Sequence, residues 1–173
     1  MQIKTERLTI TKFSQSMARS VYENSQDEDN RRFVPDEVYE SSEEARKAIE
    51  FLMSRYDSTD GPFVYPIIKN DDGKNIGYVQ LCKLDDGAWE IGYHIAKRFT
   101  GMGYATEAVK AFLPVMAKKL NIKEIFGICL AENIASTHVL GKCGFVQIYQ
   151  GIGNYQGNEA EIVKTVWKNL SKN

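Results

Sequence analysis

Apolar and polar residues alternate one by one along Leu8-Thr9-Ile10-Thr11-Lys12-Phe13, the period of a strand with one face buried. Met17, Val21 and Tyr22 then space out as one face of a short helix over 15–24. Between Asn24 and Glu40 the pattern dissolves into polar residues around Pro35, which reads as a loop with one helical turn. Order returns at Ser41-Ser42-Glu43-Glu44, a capping box in which Ser41 accepts from the third helical amide and Glu44 reaches back. Ala45, Ala48, Ile49, Leu52, Met53 and Tyr56 form the apolar face of the helix behind it. Three strand-like runs follow, over 63–68, 76–83 and 88–95, joined by turns at 70–75 and at Asp85-Asp86-Gly87. Pro66 places the first of them at an edge or beside a bulge.

Ala105, Ala108, Val109, Phe112, Met116 and Leu120 recur every three or four positions, which predicts a helix over 104–120. Pro114 lies inside it and is expected to kink or break it. A buried strand over 125–130 comes next, then a short helix over 133–143. Gly144 stops that helix, and Phe145 is the apolar contact just beyond the stop. Strands over 146–149 and 161–167 close the chain around a glycine-rich turn over 151–157. The order β-α-α-β-β-β-α-β-α-β-β implies a mixed α/β sheet. Residues 1–173 read as one domain, without repeat or linker.

Composition narrows the partners. The formal net charge of −1 carries no bias toward a polyanion, so nucleic acid is not expected as the main partner. Cys82, Cys129 and Cys143 show no CxxC spacing and read as reduced thiols of a cytoplasmic protein. With His94 and His138 the only histidines, no metal site is expected. No apolar run approaches the ~20 residues of a membrane span, and the first residues lack the apolar core of a signal peptide.

The most informative segment is Phe99-Thr100-Gly101-Met102-Gly103-Tyr104-Ala105-Thr106-Glu107-Ala108. It follows a strand and opens a helix, so its amides face outward at the positive end of a helix dipole, a site for phosphate. A nucleoside-triphosphate loop would need GxxxxGK[ST], which is absent. A dinucleotide fingerprint would need a small residue where Thr106 stands, and a βαβ unit in place of the antiparallel meander that precedes it.

A second segment separates the remaining choices. Asn133-Ile134-Ala135-Ser136, leading to Lys142-Cys143-Gly144-Phe145, resembles the N-x-x-S…K-x-G-F signature of the GNAT N-acetyltransferases. The branch it resembles is that of the ribosomal-protein N-terminal acetyltransferases, whose phosphate loop reads approximately Q-G-x-G-Y-A-T-E-A. Thr5-Glu6-Arg7-Leu8 and Glu90-Ile91-Gly92-Tyr93 match in the same order, so the resemblance spans about residues 4–168. Thr100 departs from the Gln or Arg usual at its position. Arg98 could supply a charge in its place or be a solvated loop residue.

The resemblance implies a mostly antiparallel sheet of six or seven strands with about four helices, splayed between its fourth and fifth strands, and a bulge in the strand before the loop. It implies acetyl-CoA as donor, with Thr100, Gly101, Met102, Gly103, Tyr104, Ala105 and Thr106 around the pyrophosphate and Ile95 and Asn133 along the pantetheine. The acceptor would be an amine, borne by a protein N-terminus, a peptide or a small molecule. Glu90 is implied as general base, with His94 as the second candidate. Ser136 is implied as general acid in place of the tyrosine common elsewhere in the family, where Leu140 stands here. The alternative is a non-catalytic acyl-CoA-binding module. The acidic groups Asp27-Glu28-Asp29 and Asp36-Glu37 read as solvated, or as the rim of a groove for cationic amines. Nothing in the sequence identifies the acceptor or decides between monomer and homodimer.

Overall fold

In a computed structural model, residues 1–170 are described. They build one eight-stranded sheet: β1 (Ile3–Lys4), β2 (Leu8–Ile10), β3 (Phe63–Lys69), β4 (Asn75–Lys83), β5 (Trp89–Ile95), β6 (Glu124–Leu130), β7 (Val146–Tyr155) and β8 (Asn158–Lys168). The spatial order is β1-β2-β3-β4-β5-β6-β8-β7. Every pairing is antiparallel except β5 with β6, which is parallel and has a single matched pair, Glu90 with Phe126. The sheet therefore splays between 89–95 and 124–130, the fourth and fifth strands of the sequence reading; the two-residue β1 shifts the count by one.

Five α-helices flank the sheet: α1 (Ala18–Ser25), α2 (Glu28–Phe33), α3 (Ser42–Arg55), α4 (Tyr104–Leu120) and α5 (Ile134–Lys142). Strand parity decides which helix each face meets. Tyr65, Val79, Leu81, Ile91 and Ile95 point into the main core, where Phe112 and Met116 of α4 also lie. Val64 and Tyr78 point the other way, among Phe13, Ala18 and Ile49 of the α1–α3 layer.

Several expectations change. Residues 24–40 are no loop: α2 forms there with Asp27 as its cap, accepting from the Asn30 amide, and a 3₁₀ turn follows over Pro35–Glu37. Polar composition hid helices that are held by caps and tertiary contacts and not by an apolar stripe. Ser41 caps α3 as expected, but Glu44 reaches past it to the Glu40 amide. Pro66 is interior to the sheet. It lies one residue beyond Ile67, the end of the β2 pairing, and next to a register shift at Ile67/Ile68, so the bulge is found and the edge is not. Helix α4 runs unbroken through Pro114, which is exposed to solvent. The glycine-rich stretch 151–157 is mostly strand: β7 continues to Tyr155, and the turn is the pair Gln156–Gly157, both at positive φ.

Candidate active site

The phosphate-loop prediction places a helix start after β5, and the chain makes one. A 3₁₀ turn over Lys97–Phe99 leads to Gly101 and Gly103, at φ 78° and 80°, before α4 begins at Tyr104. Left-handed backbone at both positions favours glycine. The first helical bond runs from the Glu107 amide to the Gly103 carbonyl, and no side chain caps the end. The amides of Tyr104, Ala105 and Thr106 consequently lack helical acceptors and stand at the positive end of the dipole.

The N-terminal segment fastens this turn. Glu107 accepts from the Thr5 hydroxyl at 2.6 Å and the Arg7 amide at 3.1 Å, and pairs with the Arg7 guanidinium at 2.5 Å. Arg7 also donates to the Met102 carbonyl at 2.9 Å and stacks over the Tyr104 ring. These contacts hold the Glu107 carboxyl below its usual range, although burial opposes them. Thr100 spends its hydroxyl on the Lys97 carbonyl, and Arg98 donates to Asn24 of α1 and does not turn toward the loop.

The loop opens on a cleft of about 880 Å³ that passes through the gap between β5 and β6. Ile95, Thr100, Gly101, Gly103, Tyr104, Ala105, Thr106, Glu90, His94, Asn133 and Ser136 all line it. Met102 is the exception among the expected site residues: its side chain is 53% exposed and lies off the cleft wall.

The β4–β5 register runs without a shift from Gly77↔Ile95 to Lys83↔Trp89, so the bulge expected in β5 is not there. Parity therefore holds, and Glu90 and His94 share a face. Burial pushes the Glu90 carboxyl up to about 7, against the Lys164 charge and the Ile128 amide. Burial holds His94 below its ordinary value, with Asp27 opposing. Its Nε2 lies 3.5 Å from the Asp27 carboxylate but makes no hydrogen bond.

On the opposite face, Asn133 caps α5 by accepting from the Ser136 amide at 3.1 Å, which puts Ser136 in the first turn as expected. At the far end the Phe145 amide reaches the Leu140 carbonyl and Gly144 that of Gly141, the glycine stop expected there. Helix α5 lies close on β6. A Cβ at Gly127 would meet Leu140 Cδ2 at 2.6 Å and Thr165 Oγ1 at 2.9 Å, so the bare glycine makes room for the Leu140 side chain. The Ser136 hydroxyl is 2.8 Å from that of Tyr93, which also donates to the Ser136 carbonyl at 3.0 Å. Tyr93 stands in the Glu90-Ile91-Gly92-Tyr93 match, and its odd parity was the available signal for this contact.

Two further residues stand in the cleft, one of them, Glu37, named in the sequence only as solvated or as the rim of a groove for cationic amines. Glu37 comes in from the 3₁₀ turn after α2, and burial pushes it up to about 7 as well. Tyr155, at the tip of β7, donates to the Phe33 carbonyl at 2.9 Å and closes the same wall. The acidic groups are thus not simply solvated: Asp27 caps α2 and accepts from the Lys97 amide, Asp29 pairs with Lys97, and Glu37 is half-buried and accepts from Tyr78. Lys142 is the only Lys or Arg among the described residues of the cleft wall. It adjoins Cys143, whose thiol contacts the Thr106 carbonyl, so positive charge gathers at the loop end and carboxylates at the other.

The acetyltransferase (GNAT) domain family matches residues 7–146. An uncharacterized N-acetyltransferase of Bacillus subtilis, YnaD, is 31% identical over 145 residues, covering 83% of this chain and 82% of its own. A GNAT-family acetyltransferase structure from Bacillus anthracis superposes with a TM-score of 0.82 at 24% identity, over 97% of this chain and 98% of that one. A ribosomal-protein α-N-acetyltransferase, RimL, in complex with coenzyme A, has a TM-score of 0.80 at 16% identity, over 97% of this chain and 98% of its own. None of the described helices is long and apolar enough to cross a membrane, and no group of metal-ligating side chains occurs among the described residues.

Proposed function

The chain belongs to the GNAT acetyltransferase family, and from that premise we propose that it carries the acetyl group of acetyl-CoA to a primary amine by direct attack in a ternary complex. One observation carries this reading: the amide-lined turn and the half-buried Glu90 open onto one cleft through the gap between β5 and β6. The turn suits a pyrophosphate, with backbone amides and a helix dipole supplying the charge complement. The unpaired edge of β5 near Ile95 suits an extended pantetheine arm, which would add to it much as a strand does.

Glu90 takes a proton from the acceptor ammonium. Its carboxyl titrates near 7, where a general base is effective. The freed nitrogen attacks the acetyl carbonyl carbon, a C–N bond forms and the C–S bond breaks. A backbone amide near Ile95 stabilises the intermediate oxyanion in this scheme. Ser136 protonates the departing sulfur, and the second proton that the attacking nitrogen sheds as the amide forms passes through solvent to restore the Ser136 hydroxyl. Tyr93 fixes the position of Oγ and remains a neutral phenol, since burial raises its pKa. His94 is held neutral too, but its contact with Asp27 makes it a wall residue behind Glu90 in this scheme.

A panel of amines and peptides assayed for acetyl-CoA turnover tests the scheme, with Glu90→Gln and Ser136→Ala alongside. Both variants should bind coenzyme A in calorimetry and lose turnover. Unchanged rates in both would remove the assigned roles.

A further inference from the structure

We propose that the acceptor is an aliphatic diamine, and that Glu37 holds its second ammonium group while Glu90 serves the reacting one. The inference rests on the acetyl-transfer reading above and specifies its substrate. Glu37 descends from the 3₁₀ turn Pro35–Glu37 onto β4, where Tyr78 donates to its Oε2 and Gln80 Nε2 lies 3.5 Å from Oε1. In the β4–β5 register Gln80 is opposite Gly92, and Cys82 is opposite Glu90. Gln80 and Cys82, like Gly92 and Glu90, are two positions apart on one face. That sets the strand positions that carry Glu90 and meet Glu37 on the order of 7 Å apart. Gly92 has no side chain of its own, and the Gln80 side chain lies over it, between the two positions. Both charges act on the Cys82 thiol and on the Tyr155 phenol, which places both of those groups beside the pair.

The chain offers Glu37 two neutral hydrogen-bond donors, and the neighbouring charge that bears on it is a third carboxylate, Asp36, which adds repulsion. Among the described residues no Lys, Arg or His forms an ion pair with it. A buried carboxylate without a counter-ion is costly, and an arriving cation removes that cost. Asp85 and Asp86 stand on the same wall and add to the attraction. A monoamine would satisfy Glu90 alone; an amine with a second cationic end satisfies both.

The test titrates a homologous series of α,ω-diamines, and n-alkylamines of matched length, into the protein saturated with coenzyme A. The same amines are assayed for acetylation. One diamine length should bind about tenfold more tightly than its monoamine, the gain expected of a charge-assisted pair. Glu37→Gln should abolish that preference and raise the diamine KM by a similar factor, with a smaller change in kcat. Equal binding of diamine and monoamine, or a preference that survives Glu37→Gln, overturns the inference. A Glu37-dependent preference in a protein that acetylates none of the amines would uphold this site and refute the acetyl-transfer reading.

Discussion

Glu90 and Glu37 are raised by the same cause, burial, yet their surroundings assign them different work. Glu90 stands where β5 leaves β6 and is within reach of the Ile128 amide and the Lys164 charge. Glu37 is fixed by Tyr78 and Gln80 on the adjacent strand. Replacing Glu90 by Gln should reduce kcat by about 10²–10⁴, the range of general acid–base catalysis. A base must be deprotonated to act, so kcat of the parent enzyme should rise with pH through about 7, and the Glu90→Gln variant should lack that limb. Stopped assays between pH 5.5 and 8.5, roughly the span within which the two forms interchange, would reveal it. Tyr93→Phe removes the partner of the Ser136 hydroxyl, and kcat should fall about tenfold while coenzyme A affinity is kept. The places of Glu90 and Ser136 on the cleft wall followed from the resemblance, because each sits within a regular element whose register is fixed. Glu37 was named only as one of two readings, solvated or groove rim, because its position depends on how a non-periodic segment crosses the sheet.

At the level of elements, the loop and the segment that ties it down are distant in sequence and adjacent in space. Thr5 and Arg7 reach Glu107 across about a hundred positions. Arg7 also takes the Met102 carbonyl, inside the turn itself. The tie does not touch the cleft, so it acts by holding the amides in place. Arg7→Ala should raise the KM for acetyl-CoA about tenfold and lower kcat less, because preorganisation is lost and no reacting group is removed. Gly103→Ala should cost about 1–2 kcal/mol of stability for forcing a side chain into left-handed backbone, measurable by chemical denaturation. Long periodic elements such as α3, α4 and the meander β3–β5 could be read within a residue or two, because an apolar face fixes both type and extent. Helix α2 and the last part of β7 could not. One is held by a cap and the other by pairing with β8 along a strand whose side chains are mostly exposed. In neither case does the responsible contact leave a period in the sequence.

For the molecule as a whole, two raised carboxylates make the apo fold sensitive to pH in a definite direction. Burial pushes Glu37 and Glu90 up from the ordinary 4.5 to about 7 in the folded protein, so the folded state binds their protons more tightly than the unfolded chain. The stability they supply is complete below 4.5 and is lost as pH rises through 7. His94 has the opposite slope. Its folded value lies below 6.5, so burying it neutral is penalised at low pH, and that penalty lifts as pH climbs past 6.5. The parent's melting curve therefore mixes both signs and can look flat. Comparison with Glu37→Gln/Glu90→Gln separates them, since His94 is common to both proteins. The double variant should melt above the parent by a margin that widens between pH 5 and 8, about the window bracketing both values. A bound cation favours the charged carboxylates, so adding the preferred diamine should narrow the margin at pH 8, again an approximate upper bound of the window, and leave it unchanged at pH 5. A margin independent of pH would mean that neither carboxylate is desolvated in the free protein, and an arriving cation would then relieve no desolvation cost in the cleft.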